Sequence, residues 1–548
     1  MSGATFKPSD TVDFLVIGAG SAGGVMAKEL STAGFRVVVL EQGPYLTDKD
    51  YRHDEIRYTY QAGLTNDTKV QPITYRKNES APAKLAKAIM YGRQVGGGSV
   101  HFTANYWRFH ESDFEERTQF GEVAGAGLAD WPIKYADLEP YYTKAEYDLG
   151  ISGLGGANPF EAPRSKPYPL PPMPVKSSGV LFDRATKRLG LHPYPAPMAI
   201  LSQPYQGRAA CVNCGFCEYF GCEVRAKSST LVSVIPIAEK TGKCEIRPNS
   251  YVHKIETDAQ GRATGALYFD ANRREVFQKA KAVVVCSNGA ETARLLLLSK
   301  SKRFPDGLAN SSGLVGKYLM WDTGAAAMGL FEHPLNEYKG IQVTRVIHDY
   351  YKADPKRGFY GGAGIDARFN YYPANFALQG MPPDAPKWGA EYKKMLSTYF
   401  THTMTVLSHT SSLPQLSNSI SLDPDVKDSW GLPAMRVTFD FHPDDVATLK
   451  WTLPKQKEIL EAAGATKIWA SGIAVEDNIP STHLMGTCRM GNDPKQSVVD
   501  RYNRSHDVPN LLIVDGSSFV TAARQQPTAT IQALAYRAAD YAIRNAKG

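Results

Sequence analysis

Residues 12–24 read VDFLVIGAGSAGG, an apolar run that ends in the glycine pattern GxGxxG. A helical stretch, 24–33, follows, and a second apolar run, 35–40, ends at Glu41. A strand, a glycine turn, a helix, a second strand and an acidic residue are, in this order, typical of a dinucleotide site. This stretch therefore predicts an α/β domain that binds a dinucleotide, and it does not distinguish FAD from NAD.

Each glycine of the pattern has a separate expected role. Gly18 permits the tight turn, Gly20 lets a pyrophosphate approach the backbone, and Gly23 lets the helix and strand pack closely. The helix N-terminus then faces the phosphates, and Glu41 is expected to accept a hydrogen bond from a ribose hydroxyl. The cofactor-binding residues predicted here are Gly18, Gly20, Ser21, Ala22, Gly23 and Glu41.

The composition excludes several classes of protein. The chain has 548 residues, 43% of them hydrophobic, which suggests two domains or one large wound unit. Its net charge of +7 arises from 62 basic and 55 acidic residues spread along the chain, so no nucleic-acid-binding tail is expected. The N-terminus MSGATFKPSD lacks a secretory pattern, and no run of about 18 apolar residues predicts a membrane span. We expect synthesis in the cytoplasm, with export only alongside a partner that carries a signal.

Three further segments predict the organisation of the chain. The second glycine cluster, GRQVGGGSVHFTAN at 92–105, indicates a backbone pressed against something large and flat rather than a flexible loop. The proline-rich stretch 163–174 predicts an extended connection. The aromatic-rich region 325–470, with alternating strands and polar turns, predicts a largely antiparallel sheet.

Four of the seven cysteines lie in the stretch CVNCGFCEYFGC, residues 211–222. The spacing C-x2-C-x2-C-x4-C lets one loop wrap its thiolates around a single centre, as iron–sulfur clusters require. Zinc also accepts four thiolates, but its usual pattern is two separated pairs. Two disulfides are the third alternative, disfavoured by the expected reducing compartment. The predicted ligands are Cys211, Cys214, Cys217 and Cys222.

Motifs from both ends of the chain resemble the glucose–methanol–choline (GMC) oxidoreductases, which are FAD enzymes. They are DFLVIGAGSAGG and VVLEQG, GRQVGGGSVHFTANYWRF, WPIKYADLEPYY, SNGAETARLLLLS, STHLMGTCRMG, LLIVDGSSFV and QQPTATIQALAYRAAD. Within the family the chain is most similar to iron–sulfur sugar dehydrogenases, namely gluconate 2-dehydrogenase flavoproteins and glucoside 3-dehydrogenase catalytic subunits. That subgroup also places a cysteine cluster ahead of a segment like Ala226–Ser229.

The resemblance implies a discontinuous Rossmann-like FAD-binding domain and a substrate domain with a largely antiparallel sheet. The FAD-binding domain would comprise 1–160, 215–322 and 475–548. Residues 161–214 would form the proline-rich connection and the start of the cysteine loop, and 323–474 the substrate domain.

The resemblance also assigns the chemistry. His483 stands where the family has its catalytic histidine, and a histidine suits the removal of a hydroxyl proton. The second catalytic position holds Gln526, before Pro527. A glutamine can hydrogen-bond the substrate hydroxyl but cannot act as a base. Its neighbours Gln525 and Arg524 are alternatives at this position.

The remaining FAD contacts also follow from the resemblance. Val252 would touch the adenine through its backbone, and Asp515 and Gly516 would form the turn beside the flavin ring. His101 aligns with a histidine that some members of the family bond covalently to the flavin, and the sequence leaves that bond open. The further cofactor-binding residues are Arg93, Gly97, Gly98, His101, Val252, Asp515, Gly516 and Thr528.

The expected activity is oxidation of a sugar, glycoside or sugar-acid hydroxyl. Electrons would pass from FAD through a [3Fe–4S] or [4Fe–4S] cluster to an external acceptor such as a cytochrome. The resembled complexes suggest the [3Fe–4S] form, together with a small subunit and a cytochrome as partners. The alternatives are an FAD alcohol oxidase that uses oxygen and has a structural zinc, and a dehydrogenase of a non-sugar, aromatic alcohol.

Overall fold

The computed structural model describes residues 5–470 and 479–547. Its strands are β1 (Val12–Ile17), β2 (Val37–Leu40), β3 (Ile73–Arg76), β4 (Lys84–Leu85), β5 (Tyr194–Pro195), β6 (Cys244–Arg247), β7 (Tyr251–Thr257), β8 (Ala263–Phe269), β9 (Glu275–Val285), β10 (Met320–Trp321), β11 (Ala326–Leu330), β12 (Val343–Ile347), β13 (Gly364–Arg368), β14 (Thr403–His409), β15 (Ser419–Lys427), β16 (Pro433–Thr438), β17 (Lys467–Ala470), β18 (Leu484–Met485) and β19 (Leu511–Ile513). Its helices are α1 (Ser21–Thr32), α2 (Glu116–Phe120), α3 (Tyr135–Leu149), α4 (Ser177–Arg188), α5 (Ile235–Lys240), α6 (Glu291–Leu298), α7 (Pro373–Asn375), α8 (Gly389–His402), α9 (Pro443–Ala463) and α10 (Thr528–Lys547).

A parallel sheet contains the dinucleotide pattern. Its strand order is β6-β2-β1-β9-β19, and Leu15 of β1 lies opposite Val38 of β2 and Val283 of β9. The side chains of β1 and β2 are almost all buried, as expected for parallel strands covered by helices. Helix α1 packs against this sheet and against α10, which in turn packs against α3. The predicted Rossmann-like arrangement is confirmed.

The first half of β9 belongs to a different pairing. Residues 275–279 pair antiparallel with β8, and β8 pairs antiparallel with β7. The long strand therefore joins the parallel sheet to an antiparallel ribbon, which carries Val252.

The region after residue 320 forms most of the predicted antiparallel sheet, and β5, from the stretch 161–214, adds its edge strand. Its order is β17-β11-β14-β13-β12-β5, and every neighbouring pair is antiparallel. Helices α4 and α9 pack against it. Residues 471–478, with the expected domain boundary between 474 and 475, lie outside the described residues.

Two smaller sheets join the N-terminal and C-terminal parts of the chain. Strands β3 and β4 extend the β15-β16 hairpin, and β10 pairs with β18. A continuous apolar core runs through these junctions and includes Phe14, Trp321 and Phe439. Within the described residues, each helix is too short or too polar to cross a bilayer.

Candidate active site

A cavity of about 290 Å³ lies at the carboxyl ends of β1, β2 and β9. Ile17, Glu41 and Cys286, at or just after these strand ends, form part of its wall. Ligands of parallel α/β sheets bind at this edge. The predicted site residues in the wall are Gly18, Gly20, Ser21, Ala22, Glu41, Gly97, Gly98, His101, Val252, His483, Asp515, Gly516, Gln526 and Thr528.

Two kinds of glycine surround the turn after β1. A Cβ atom on Gly23, which is outside the described wall, would lie 1.8 Å from the carbonyl oxygen of Gly18, so this glycine serves the packing of the chain itself. A Cβ on Gly20 would meet no described atom closer than Cα of Gly97, at 3.8 Å, and one on Gly98 would meet none within 4 Å. The fold leaves room for a side chain at both wall positions. A ligand lying on the backbone therefore explains their glycines better than packing does.

Replacement of Gly20 by alanine is expected to weaken FAD binding without unfolding the protein. The backbone at Gly20 has φ −78° and ψ −152°, a negative φ that alanine tolerates. The added methyl group would stand where the pyrophosphate approaches, and we expect a loss of affinity of about tenfold or more. Flavin per chain and the thermal unfolding midpoint measure the two effects. The matched control is Gly155→Ala, whose Cβ would have no described neighbour closer than 3.5 Å. Full flavin content in the Gly20 variant would contradict this role.

Glu41 stabilises the turn as well as facing the cavity. Its carboxylate oxygens accept hydrogen bonds from the backbone N–H groups of Ala19 and Gly43, each at 2.9 Å. Burial raises the pKa of Glu41 to about 7, and the two backbone donors oppose that rise. Each oxygen retains a lone pair for a ribose hydroxyl. Arg93 packs behind this turn, because its carbonyl oxygen would lie 2.1 Å from a Cβ on Gly43, and it is outside the described wall.

Two side chains of the second glycine cluster that line the wall are buried and have unpaired polar atoms. Nε2 of His101 and both polar atoms of the Asn105 amide make no hydrogen bond to any residue that the structure describes. Burial, reinforced by the charge of Lys227, lowers the pKa of His101 to about 4, so its imidazole is neutral at pH 7. Buried polar atoms normally have partners. These atoms therefore fit the polar edge of a bound cofactor such as FAD. Asn105 ends the second glycine cluster and was not among the predicted site residues.

His483 and Asp322 meet across the short β10–β18 ladder. Trp321 pairs with Leu484 in this ladder, so the next residue on one strand faces the preceding residue on the other. Nδ1 of His483 lies 3.0 Å from Oδ2 of Asp322, whose side chain is fully buried. The carboxylate accepts the Nδ1 proton, and Nε2 is left as the acceptor at the cavity. No local motif marks Asp322; strand pairing is the only signal that could have revealed it.

Gln526 is the member of the segment 524–526 that reaches the cavity wall. The guanidinium of Arg524 is buried in an ion pair with Glu116. The side-chain amide of Gln525 donates to the carbonyl oxygen of Arg108. Both neighbours are thus committed to other partners, and neither lies in the described wall.

Two helical segments from the C-terminal part of the chain begin at the cavity wall. Asp515 lies two residues after β19. Its Oδ1 accepts from the backbone N–H of Ser517 at 2.8 Å, and its Oδ2 accepts from Thr292 Oγ1 at 2.6 Å. A short 3₁₀ turn begins at Gly516, and the long helix α10 begins at Thr528. Helix N-termini favour negative charge, so this side of the cavity suits an anionic ligand group.

The four clustered cysteines lie on one loop and are all free thiols. Cys217 is buried, and the others are exposed or half-buried. The backbone N–H of Asn213 donates to Sγ of Cys211 at 3.4 Å, and that of Lys227 donates to Sγ of Cys222 at 3.5 Å. Hydrogen bonds from backbone N–H groups to sulfur are among the contacts that tune iron–sulfur centres.

The loop does not gather its thiols into a ligand set. Among the described residues, no three or more His, Cys, Asp or Glu side chains form a group that could hold a metal ion. Burial raises the pKa of the Cys217 thiol to about 12, against the opposing charge of Lys227. Left-handed backbone at Asn213 and Gly215 (φ 56° and 89°) turns the chain between them. Four free thiols on one tight loop suit an iron–sulfur cluster or zinc, and the cluster stays a prediction.

The cysteine loop also forms part of the cavity wall, through Glu218 and Tyr219. The backbone N–H of Tyr219 donates to the carbonyl oxygen of His101 at 2.7 Å. The buried ammonium group of Lys227 donates to the carbonyl oxygen of Phe102 at 3.3 Å. The loop and the second glycine cluster are therefore tied together beside the cavity.

Sequence models described as GMC oxidoreductase match residues 12–320 and 414–535. The 2-methyl-1,2-propanediol dehydrogenase of Mycolicibacterium austroafricanum is 36% identical over 98% of this chain and 96% of its own length. The gluconate 2-dehydrogenase flavoprotein of Pantoea cypripedii is 29% identical over 96% and 92% of the two chains. The fructose dehydrogenase large subunit of Gluconobacter japonicus is 28% identical over 98% of each.

Solved structures with the same fold have lower sequence identity. The pyridoxine 4-oxidase of Mesorbium loti superposes with a TM-score of 0.66 at 18% identity, covering 97% of this chain and 99% of its own. A formate oxidase gives the same TM-score at 14% identity over the whole of both chains. These likenesses support the fold alone.

Proposed function

The chain belongs to the GMC oxidoreductase family, and on this basis we propose that it is an FAD-dependent dehydrogenase of a sugar, glycoside or sugar-acid hydroxyl. Members of this family act on CH–OH groups with FAD. We propose His483 as the base and an iron–sulfur cluster as the route for electrons to an external acceptor such as a cytochrome. The observation that carries the proposal is that the cysteine loop and His483 line the same cavity.

Different residues of the cavity wall would bind the cofactor, accept the substrate proton and hydrogen-bond the substrate. Bound FAD would supply the hydride acceptor, held by the glycine turn, His101, Asn105 and the α10 N-terminus. The substrate hydroxyl would give its proton to Nε2 of His483. Asp322 would hold the imidazole in the required tautomer and stabilise the positive charge that it gains. Gln526 would hydrogen-bond the substrate and take no proton.

Conversion of Asp322 to asparagine is expected to lower the rate of flavin reduction by about 100-fold or more while KM stays nearly constant, because the histidine tautomer is no longer fixed. Asparagine has nearly the same shape, so flavin content is expected to be normal. Anaerobic stopped-flow absorbance at saturating substrate measures the rate. An equal fall in flavin content would indicate a structural role and count against this assignment.

The cysteines support a dehydrogenase over an oxidase. Cys211, Cys214, Cys217 and Cys222 would hold a [3Fe–4S] or [4Fe–4S] cluster, in the former case with one cysteine free of iron. Such a cluster supplies one-electron transfer, which a cytochrome acceptor needs. The name of the fructose dehydrogenase large subunit implies that protein has other subunits. We propose likewise a small subunit and a cytochrome as partners, with export of the chain by a signal-bearing partner.

The functional test is a substrate screen with purified protein in air. We expect sugars, glycosides, sugar acids or small diols to reduce an artificial dye much faster than they produce hydrogen peroxide. The diols are included because one relative is named for 2-methyl-1,2-propanediol. Peroxide formation equal to substrate consumption, with dye reduction absent, would instead favour an oxidase.

The division into domains is also a proposal. The parallel sheet and the antiparallel sheet support an FAD-binding part and a substrate part, as expected for 1–160, 215–322 and 475–548 against 323–474.

A further inference from the structure

The amide of Gln526 is fixed by a buried chain of polar groups from the antiparallel sheet. Its Nε2 lies 3.1 Å from Nδ1 and 3.0 Å from Nε2 of His409, the last residue of β14. Nε2 of His409 lies 2.9 Å from Oδ2 of Asp366 on the neighbouring strand β13. Arg368 pairs with the same carboxylate, with Nε 2.7 Å from Oδ1. All four side chains are buried.

Strand pairing brings this chain of groups together. In the β13–β14 register, Gly364 lies opposite His409, and Asp366 is two residues along on the same face of β13. The paired arginine lowers the pKa of Asp366 despite burial, so the carboxylate is ionised. An ionised carboxylate is the strongest hydrogen-bond acceptor within reach of the imidazole.

The hydrogen-bond roles follow in order from that carboxylate. Arg368 Nη2 also lies 2.9 Å from Nε2 of His409, but a guanidinium only donates, and Asp366 is the group that can take the Nε2 proton. His409 Nδ1 is then an acceptor, and the NH₂ group of Gln526 donates to it. The amide is thereby oriented with Oε1 away from His409.

The carbonyl oxygen of Gln526 is left without a partner. Oε1 is buried and makes no hydrogen bond to any residue in 5–470 or 479–547, and Gln526 lies in the cavity wall. Nε2 of His483 is an acceptor in the same wall, because Asp322 takes the Nδ1 proton. His483 and Gln526 thus each offer an acceptor in the cavity wall.

We propose that the substrate is a diol, polyol or amino alcohol, in which one hydroxyl group donates to His483 and a second donor binds Oε1 of Gln526. His409, Asp366 and Arg368 act as positioning residues that keep the glutamine oxygen toward the substrate. This inference rests on the proposed function, because it requires that His483 receives the proton of the oxidised hydroxyl. A monohydric alcohol or an ether would leave the buried carbonyl unpaired. A site built around a hydrogen bond rejects such analogues, here by about 10- to 100-fold in kcat/KM.

The test compares matched probes by anaerobic flavin reduction. The probes are propane-1,2-diol, 1-amino-2-propanol, both monomethyl ethers of the diol, and 1-propanol and 2-propanol. We expect the diol or the amino alcohol to exceed the ethers and monohydric alcohols in kcat/KM by at least about tenfold. Ethers or monohydric alcohols that equal the diol would overturn this inference and leave the dehydrogenase assignment standing. If no probe, sugar or other alcohol reduces the flavin, the proposed function falls, and this inference falls with it.

Variants of the positioning residues test whether these residues orient the Gln526 amide or only stabilise the fold. In His409→Leu and Asp366→Asn the amide of Gln526 is free to turn, and the ratio of diol to ether kcat/KM is expected to fall toward one. The matched control is His442→Leu, another buried histidine, whose Nδ1 accepts from the backbone N–H of Asp444 at the start of α9. It is expected to affect stability and leave the ratio unchanged. Unchanged ratios in Asp366→Asn, with normal flavin content, would contradict the positioning role even if His409→Leu fails to fold.

Discussion

Substitution of His483 by glutamine is expected to slow substrate-driven flavin reduction by about 10³-fold, within the range that a positioned general base contributes. Glutamine retains a similar volume and can hydrogen-bond a hydroxyl, but it cannot accept a proton at neutral pH. The hydroxyl proton would then pass directly to water. Because the transferred hydride comes from the same carbon, its loss is coupled to removal of that proton.

Anaerobic stopped-flow measurement of flavin absorbance isolates this step from reoxidation. Flavin content should remain close to wild type, because other segments supply most of the cavity wall. The matched control is His402→Gln, at the C-terminal end of α8. A His483 variant that reduces its flavin at the wild-type rate would remove this residue from the mechanism and leave the base unidentified.

Substitution of Cys217 by alanine is expected to abolish iron binding and to uncouple reduction of the flavin by substrate from reduction of the cytochrome. Reduction of the flavin by substrate should stay within about threefold of wild type, whereas reduction of a cytochrome should fall by about 100-fold or more, because one-electron transfer needs the cluster. Cys217 is the buried member of the four cysteines. Its loss should remove the thiolate that is best protected from solvent.

Iron, labile sulfide and flavin are measured on anaerobically purified protein, alongside rates with each acceptor. Cys244→Ala is the control, because Cys244 is buried on β6 opposite Val37 and is expected to leave iron content unchanged. Wild-type protein with flavin but without iron and sulfide would refute the cluster. Undiminished cytochrome reduction in a Cys217→Ala protein that has lost its iron would refute the electron route.

The glycine turn illustrates what a sequence reveals about this fold. The pattern at Gly18, Gly20 and Gly23 spans only six residues, so its spacing alone predicts the turn, the helix and the cavity edge. The apolar β1 and β2 are similarly local, and the alternating pattern after residue 325 correctly predicts an antiparallel sheet. Motif resemblance added His483 and Gln526, which lie in the same cavity wall.

Residues that depend on long-range pairing were not predictable in this way. Asp322 lies 161 positions from His483, and His409 lies 117 positions from Gln526. Only the register of the β10–β18 ladder and the course of β14 bring each pair together. An isolated aspartate or histidine at the end of a strand carries no local signal of such a partner. The arrangement of the thiols depends in the same way on how the loop folds against its neighbours.

The two-residue pairing between β10 and β18 places Asp322 beside His483, so this pair exists only when the strands on both sides of it have folded together. Asp322 leads into the antiparallel part of the molecule, whereas His483 leads back toward the dinucleotide part. A chain that has folded only one of these parts holds an imidazole without its carboxylate. With His483 as the proposed base, molecules in which this ladder has not formed are therefore expected to be poor catalysts.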